Sequence, residues 1–423
     1  MYDSINDANR AIVEAISSGQ PVLVDVVQAR DAIPVLAGEQ KVLLHAGPPI
    51  RFEEMTPPMQ GSCVGALLFE RWAATEEQAR AMLAAGEIRF EPCHHHDAVG
   101  PMGGITSPSM AVVVVENRQG GNRAYCTMNE GIGKVLRFGA YDAEVVARLE
   151  WMRDVLGPAL AQALRQTADG YALIPLISRA ITMGDEFHQR NIAASALFAK
   201  DMAPLLARTD VDRGDVAQVL QFLSDTDQFF LNLAMAACKS VMDQARTVQE
   251  GSIVTAMTRN GKDFGIRVSG LGDQWFTAPV NTPQGLYFTG YSQEQACPDM
   301  GDSAITETFG LGGMSMIAAP GVTRFVGAGG FTDAVAISDE MAEIVVDFNG
   351  TLPIPTWDFQ GAPLGIDVRK VVKTSITPII NTGIASLEPG VGQIGAGTVR
   401  APLACFVQAL EALAARYGVA ADD

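Results

Sequence analysis

Apolar positions at the start of the chain recur with helical spacing. Ala8, Ile12, Val13 and Ile16 share one face and Asp7 stands where an N-cap belongs, so the pattern predicts a helix over 7–18. The pattern then changes to continuous apolar runs. Pro21-Val-Leu-Val-Asp-Val-Val27 and Lys41-Val-Leu-Leu-His45 predict two buried strands. His45-Ala-Gly-Pro-Pro49 and Pro57-Pro-Met-Gln-Gly61 then lead into an apolar helix over 63–72. A loop between the carboxyl end of a strand and a helix N-terminus is a common seat for an anion. Thr75-Glu-Glu-Gln78 opens a capped helix ending near Gly86, and 88–91 reads as a short strand. The runs 110–116 and 122–128 predict a hairpin across Gln119-Gly-Gly121.

From 142 to about 245 the pattern is helical throughout, with expected helices at 142–166, 172–183, 188–206, 212–223 and 227–245. Strands return at 253–258 and 263–269, joined through Arg259-Asn-Gly-Lys262, and Asn-Gly between alternating runs is a strong hairpin signal. Helices are expected from Asp302 to about Pro320 and over 332–348, strands over 367–373 and 377–381, loops over 381–385 and 390–397, and a closing helix over 402–417. The expected class is α/β (α+β) and multidomain: two mixed α/β portions, 1–141 and 247–423, separated by an all-helical domain, 142–246. No internal repeat is present.

Composition sharpens this outline. A chain of 423 residues with 48% hydrophobic and 18% charged residues has more than one ordinary core and is not a disordered polymer. The net charge of −18 repels phosphate backbones, so nucleic acid and anionic membrane are poor partners, and any cation beside a glycine-rich turn becomes informative. The six cysteines are scattered without a Cys-x-x-Cys pair, as expected of reduced core thiols in a cytoplasmic protein. The polar, acidic N-terminus is not a signal peptide, and no apolar run approaches the ~20 residues that span a bilayer.

The densest chemistry is Glu91-Pro-Cys-His-His-His-Asp97, which holds three of the five histidines and is followed by Val99-Gly-Pro-Met-Gly-Gly104. In a loop, two of His94, His95 and His96 can face one site. A metal is conceivable there, but no His-x-His or His-Glu-x-x-His spacing exists and no distant pair completes a ligand set, so none is assigned. An anion or carbonyl site, or imidazoles satisfied by backbone, are the other readings. Arg259, Lys262 and Arg267 around the hairpin suggest phosphate or carboxylate capture, against which stands a plain solvated hairpin tip. Asn129-Glu-Gly-Ile-Gly-Lys134 is a glycine-rich turn without the Walker spacing. Asn260 and Asn381 flank glycines, where asparagine is commonly turn chemistry. Asp302 reads as an N-cap with Glu307 facing another surface, and Met183-Gly-Asp-Glu-Phe-His188-Gln-Arg-Asn191 is a polar patch offering either a second wall of a site or an inter-helix turn, with Asp185 as a cap.

Taken together, Leu23-Val-Asp-Val-Val27, His45-Ala-Gly-Pro-Pro-Ile50, Pro92-Cys-His-His-His96, Val99-Gly-Pro-Met-Gly-Gly104, Tyr125-Cys-Thr-Met-Asn-Glu-Gly131 and Lys134-Val-Leu-Arg-Phe-Gly139 resemble the YlbE/YahG family. So do Met183-Gly-Asp-Glu186, Thr258-Arg-Asn-Gly261, Gly265-Ile-Arg-Val-Ser-Gly270, Gly301-Asp-Ser-Ala-Ile-Thr-Glu307 and Ile379-Ile-Asn-Thr-Gly-Ile-Ala385. That family is similar to the AllG subunit of oxamate carbamoyltransferase. The resemblance implies carbamoyl transfer between oxalurate and phosphate, giving oxamate and carbamoyl phosphate, in allantoin and purine catabolism. It also implies FdrA-like (AllF) and AllH-like partner subunits and a neighbouring carbamate kinase, and it is compatible with a homo-oligomer. The Ser-x-Arg-Thr-Arg and His-Pro-x-Gln motifs of aspartate and ornithine carbamoyltransferases are absent, so carbamoyl phosphate would be held by other groups.

The expected site follows from what this chemistry needs. Arg259 and Arg267, with His45, Gly47, Asn129, Gly131, Asn260 and Asn381, are the candidates for holding the anionic substrate. His94, His95 or His96 and the N–H groups of Gly103 and Gly104 are candidates for polarising the carbamoyl oxygen, and a histidine of the run or Glu130 for moving the proton. No cofactor is expected. A stand-alone metal-dependent amidohydrolase and a non-catalytic scaffold or substrate-binding subunit remain as alternatives.

Overall fold

The computed structural model describes Tyr2 and residues 4–418, and its fold is mixed α/β. The first helix, Ile5–Ser17, is capped by Ser4, whose hydroxyl accepts from Asp7 N–H, so Asp7 lies in the first turn and not at the cap. Its buried face carries Ile12, Val13 and Ile16 as the spacing predicts.

The N-terminal strands are β1 (Pro21–Gln28), β2 (Val42–His45), β3 (Arg89–Pro92), β4 (Ala98–Val99), β5 (Ala111–Asn117) and β6 (Arg123–Thr127). The β5–β6 hairpin is antiparallel, and β1 pairs antiparallel with the other edge of β5. β2 and β3 instead form a parallel pair with His45 opposite Pro92, joined through the helices Pro57–Phe69 and Glu76–Ala84. A parallel pair brings the loops after both strands out at the same end. Here those loops are His45–Gly47 and the histidine run.

The middle stretch is helical as expected, with one exception. β7 (Tyr171–Ala172) joins β1, completing the sheet order β4-β6-β5-β1-β7. The expected helix over 142–166 passes through a π turn, Met152–Leu156, just before Pro158. A π turn absorbs the missing proline N–H without ending the helix. Helix Phe229–Ala245 is buried on nearly every side, against β5, β6 and the first helix. Its Phe229, Phe230, Leu233 and Val241 are at most 1% exposed, each contributing about 1.5–3 kcal/mol by burial. One hydrophobic cluster draws on residues from the first helix to Ala396, crossing all three stretches of the chain.

The C-terminal strands are β8 (Val254–Asn260), β9 (Asp263–Val268), β10 (Phe276–Pro279), β11 (Gln284–Tyr287), β12 (Met300–Gly301), β13 (Val345–Ile354), β14 (Gln360–Ile366), β15 (Ile379–Ala385) and β16 (Gln393–Arg400). The Asn-Gly hairpin forms, with Gly261 at φ +81°, and the sheet order is β10-β9-β8-β12. Four expectations fail here. The helix expected from Asp302 breaks into turns at Asp302–Ala304, Ile305–Phe309 and Gly312–Ala318, because Gly310 (φ +104°) and Gly312 (φ +57°) take left-handed backbone. The helix expected over 332–348 stops at Ala342, where the β-branched Val345 and Val346 begin β13. Residues 368–374 form a helix capped by Asp367 and not a strand, Val368 and Val371 lying on one helical face. Of the two segments expected as loops, 381–385 lies in β15, and 390–397 is a turn only over 390–392 before it enters β16. Their glycines permit close pairing: a Cβ on Gly395 would lie 2.4 Å from Leu286 O and one on Gly397 2.5 Å from Gln284 O. Among the described residues no helix is long and apolar enough to cross a membrane.

Candidate functional site

The histidine run coils into a 3-10 turn, Cys93–His96, ended by Asp97 at φ +54°. Only His94 points inward, at 2% exposure. His95 accepts from Trp275 Nε1–H at Nε2 over 2.9 Å, and His96 Nε2 lies 3.6 Å from Glu91 Oε2 at the rim. His45 is brought beside this turn by the register of β2 on β3. Its Nδ1 lies 2.8 Å from Ala46 O, so that nitrogen carries the proton and Nε2, which has no partner, presents a lone pair. Burial holds its pKa down to about 4. Neither ring nitrogen of His94 has a hydrogen-bond partner, and burial, with Lys239 and Arg267 nearby, holds this imidazole neutral as well.

The floor is Asp302. Its carboxylate accepts from Gly47 N–H (3.0 Å), Gly100 N–H (2.9 Å) and the Thr258 hydroxyl, and lies 3.6 Å from His94 Nε2. It therefore ties the loops after β2 and β4 to β8, and it is not a helix cap. Burial pushes its pKa up to about 6. Gly47 (φ +91°) must be glycine, since a Cβ would sit 2.4 Å from that of Asn260. The cation of the cluster is Arg267. Its Nη1 donates to His94 O at 3.3 Å, its guanidinium lies 4.3 Å over the Trp275 ring, and its Nε has no partner.

Several expected site residues are committed elsewhere. Arg259 is fully buried and all of its guanidinium nitrogens are occupied: Nε and Nη2 by Asp299 at 2.6 and 3.2 Å, Nη1 by Gly301 O at 2.7 Å. Its charge is spent inside the fold, so it is a brace and not an anion hook. Asn260 closes the hairpin, accepting from Lys262 and Asp263 N–H and donating to Pro48 O. Gly103 and Gly104 donate to Arg137 O and Pro101 O, so neither N–H is free for an oxyanion. Gly131 N–H goes to Asn129 Oδ1, and Asn129 Nδ2 to Gln228 O. Glu130 accepts from Leu136 N–H, Arg137 N–H and the Arg137 guanidinium, which leaves it no role as base.

A second buried cluster lies at the other end of the Asp302–Phe309 segment. Glu307, far from facing a surface, is fully buried, and its oxygens lie 2.7 and 2.9 Å from His188 Nδ1. It also accepts from Gly313 N–H and Asn381 N–H. Glu186 beside it accepts from Arg190 N–H at 2.7 Å and Asn381 Nδ2–H at 3.0 Å, and burial pushes its pKa up to about 7. Asp185 caps the helix Ile192–Leu206 through Ala193 and Ala194 N–H, as the patch suggested. Asp302 and Glu307, read from the sequence as a cap and a surface group, and His188, read only as part of a polar patch, are thus buried and hydrogen-bonded inside the fold. The available signal was acid groups inside otherwise apolar blocks, Gly301-Asp-Ser-Ala-Ile-Thr-Glu307 and Met183-Gly-Asp-Glu-Phe-His188. Among the described residues no three His, Cys, Asp or Glu side chains are grouped to hold a metal ion.

A family profile described as oxamate carbamoyltransferase subunit AllG matches residues 88–303. The oxamate carbamoyltransferase subunit AllG of Escherichia coli (strain K12) is 64% identical over 419 residues, 99% of this chain and 100% of that one. An uncharacterized protein of the same organism, YahG, is 42% identical over 99% of this chain and 88% of its own length. The crystal structure of a conserved protein of unknown function from Enterococcus faecalis V583 superposes with a TM-score of 0.95 at 45% identity, covering 98% of this chain and 99% of that one.

Proposed function

The chain belongs to the AllG family of oxamate carbamoyltransferase subunits, and from that premise we propose that it works as one subunit of a multi-subunit carbamoyltransferase in the cytoplasm. The reaction is oxalurate plus phosphate giving oxamate plus carbamoyl phosphate, within allantoin and purine catabolism, with FdrA-like and AllH-like subunits as partners. The observation that carries this reading is the 64% identity across the whole length of the E. coli subunit.

In the forward direction a phosphate oxygen attacks the carbamoyl carbon, the bond from that carbon to the amide nitrogen breaks, and the proton of hydrogen phosphate ends on the released oxamate nitrogen. Arg267, with its free Nε, is the group suited to an anionic oxygen. His94 has a ring N–H to offer the carbamoyl oxygen, and the free Nε2 lone pair of His45 accepts a proton. Burial keeps both imidazoles neutral near pH 7, the state that this role requires. Replacing His94 by Ala in the assembled complex is expected to lower turnover at least about a hundredfold. Wild-type turnover in a folded, assembled complex would remove His94 from the mechanism.

One observation favours a second reading, a binding or scaffold subunit. His45 and His94 are 1% and 2% exposed, beneath a rim of His95 and Trp275. Assaying carbamoyl transfer with this chain alone, with its partners alone and with all together separates the two. Under the scaffold reading His94→Ala leaves the complex active.

A further inference from the structure

The chemistry above leaves one charged cluster unused, and it adjoins Arg267. Lys239 and Asp243 stand one turn apart on the buried helix Phe229–Ala245, and Arg246 is its C-cap. Lys239 Nζ lies 2.7 Å from Asp243 Oδ1, and Arg246 Nε lies 3.6 Å from the same oxygen. Arg246 Nη1 reaches Asp273 Oδ1, and Arg267 Nη1 lies 3.5 Å from that oxygen too. A single carboxylate oxygen thus brings two guanidinium groups together. Asp97 also faces these charges, from an exposed position.

The two arginines are incompletely supplied. Arg246 Nε and Arg267 Nε are buried and neither has a hydrogen-bond partner. A buried donor left unmade is costly, so two of them on guanidiniums that share one oxygen mark a place for a further acceptor. Arg259 is the contrast, with its donors spent on the buried Asp299. Burial holds the Arg267 pKa down to about 10, with Asp273 raising it and Arg246 lowering it, so the group stays charged.

Asp273 is the weakest tie in the cluster. It sits on the loop between β9 and β10, directly after Gly272 at φ +61°, and its side chain is 70% exposed, whereas Lys239 and Arg267 are buried. An exposed carboxylate holds an arginine weakly, because water competes and salt screens. An anion with several oxygens can meet both guanidiniums where Asp273 offers them one. The place also adjoins the histidine site. Trp275, on the same loop, lies under the Arg267 guanidinium and stands edge-on to His94 with ring centres 5.8 Å apart.

We infer that Arg246 and Arg267 form a seat for a small oxyanion, a phosphate or a carboxylate, and that Asp273 fills it as an internal placeholder which the ligand displaces. Asp243, held by Lys239, positions Arg246. The inference deepens the carbamoyl-transfer reading and rests on it for the identity of the anion, inorganic phosphate or the carboxylate of oxamate.

The test titrates phosphate and oxamate separately into the full-length chain by calorimetry at fixed ionic strength. Asp273→Asn removes the competing carboxylate and is expected to tighten binding of the seated anion about threefold to fivefold. Asp210→Asn makes the same charge change at another exposed position and is expected to leave binding unchanged. Adding Arg246→Gln to Asp273→Asn is expected to weaken binding about tenfold or more. The Asp273→Asn comparison stands by itself if the Arg246 variant fails to fold. Tightening for phosphate alone identifies a phosphate seat, for oxamate alone a carboxylate seat, and for both a seat open to either. Asp273→Asn binding neither anion better than wild type, equal tightening by Asp210→Asn, or no saturable binding of either anion overturns the seat. Turnover of the assembled complex is scored separately. Turnover without the Asp273→Asn effect sinks the seat alone, and the effect without turnover sinks carbamoyl transfer alone.

Discussion

His45 supplies the sharpest quantitative prediction, because its burial has a thermodynamic signature that needs no substrate. The ring is 1% exposed and its pKa lies near 4 against an ordinary 6.5. Above pH 6.5 the side chain is neutral in both folded and unfolded chains and contributes nothing to the difference. As pH falls from 6.5 toward 4, the unfolded chain gains a proton that the folded chain refuses, so stability is lost across that window. The full loss is about 3 kcal/mol, and about 2 kcal/mol of it has gone by pH 5. His45→Asn keeps a donor for Ala46 O and cannot take up the proton. Urea unfolding of both proteins at pH 7.5 and pH 5 is expected to show the variant losing about 2 kcal/mol less than wild type on acidification. Asp302 and Glu186, pushed up to about 6 and about 7, act in the opposite sense: their contribution is larger at low pH and falls as pH rises through 4–7. They are present in both proteins and cancel in the comparison. Superimposable acid losses in wild type and variant would refute the buried, neutral His45 and the proton-accepting role given to it.

Other consequences follow from the same contacts. Asp299→Ala strands the fully buried Arg259 guanidinium and is expected to cost about 3–5 kcal/mol in urea unfolding, whereas the double variant Arg259→Met/Asp299→Leu is expected to be more stable than Asp299→Ala; a double variant less stable than the single change would contradict the brace. Gly312→Ala forces a side chain onto φ +57° and against Glu307, with an expected loss of about 1–3 kcal/mol, read by thermal unfolding. Glu130→Gln is expected to leave the turnover of the assembled complex within about threefold of wild type, since its oxygens are engaged by Leu136 and Arg137; loss of a general base would cost about a hundredfold or more.

Much of the architecture was legible because local pattern and burial agree. The runs at 21–27, 41–45 and 110–116 are β-rich and buried, the Asn260-Gly261 turn has one economical geometry, and 142–245 repeats with helical period. Reading failed where a residue's meaning depended on a distant neighbour. Gly395 and Gly397 look like loop residues until β11 lies against them at van der Waals distance. Asp302 has the sequence context of a cap, yet its partners are Gly47 and Gly100, about two hundred or more residues away in sequence.

The candidate chemistry divides along the same line. Local pattern settles which residue types are present and how most segments coil: a histidine run after a short strand, cations flanking an Asn-Gly turn, acid groups close to apolar runs. Which of them are available depends on long-range packing. It turned His94 inward and His95 and His96 outward, spent Arg259 on Asp299 while leaving Arg267 Nε open, consumed the N–H groups of Gly103 and Gly104, and set His188 on Glu307. Helical and strand periodicity are short-range properties of the backbone, written every two to four residues. Whether a buried donor or acceptor is satisfied depends on partners that the fold brings from anywhere in the chain.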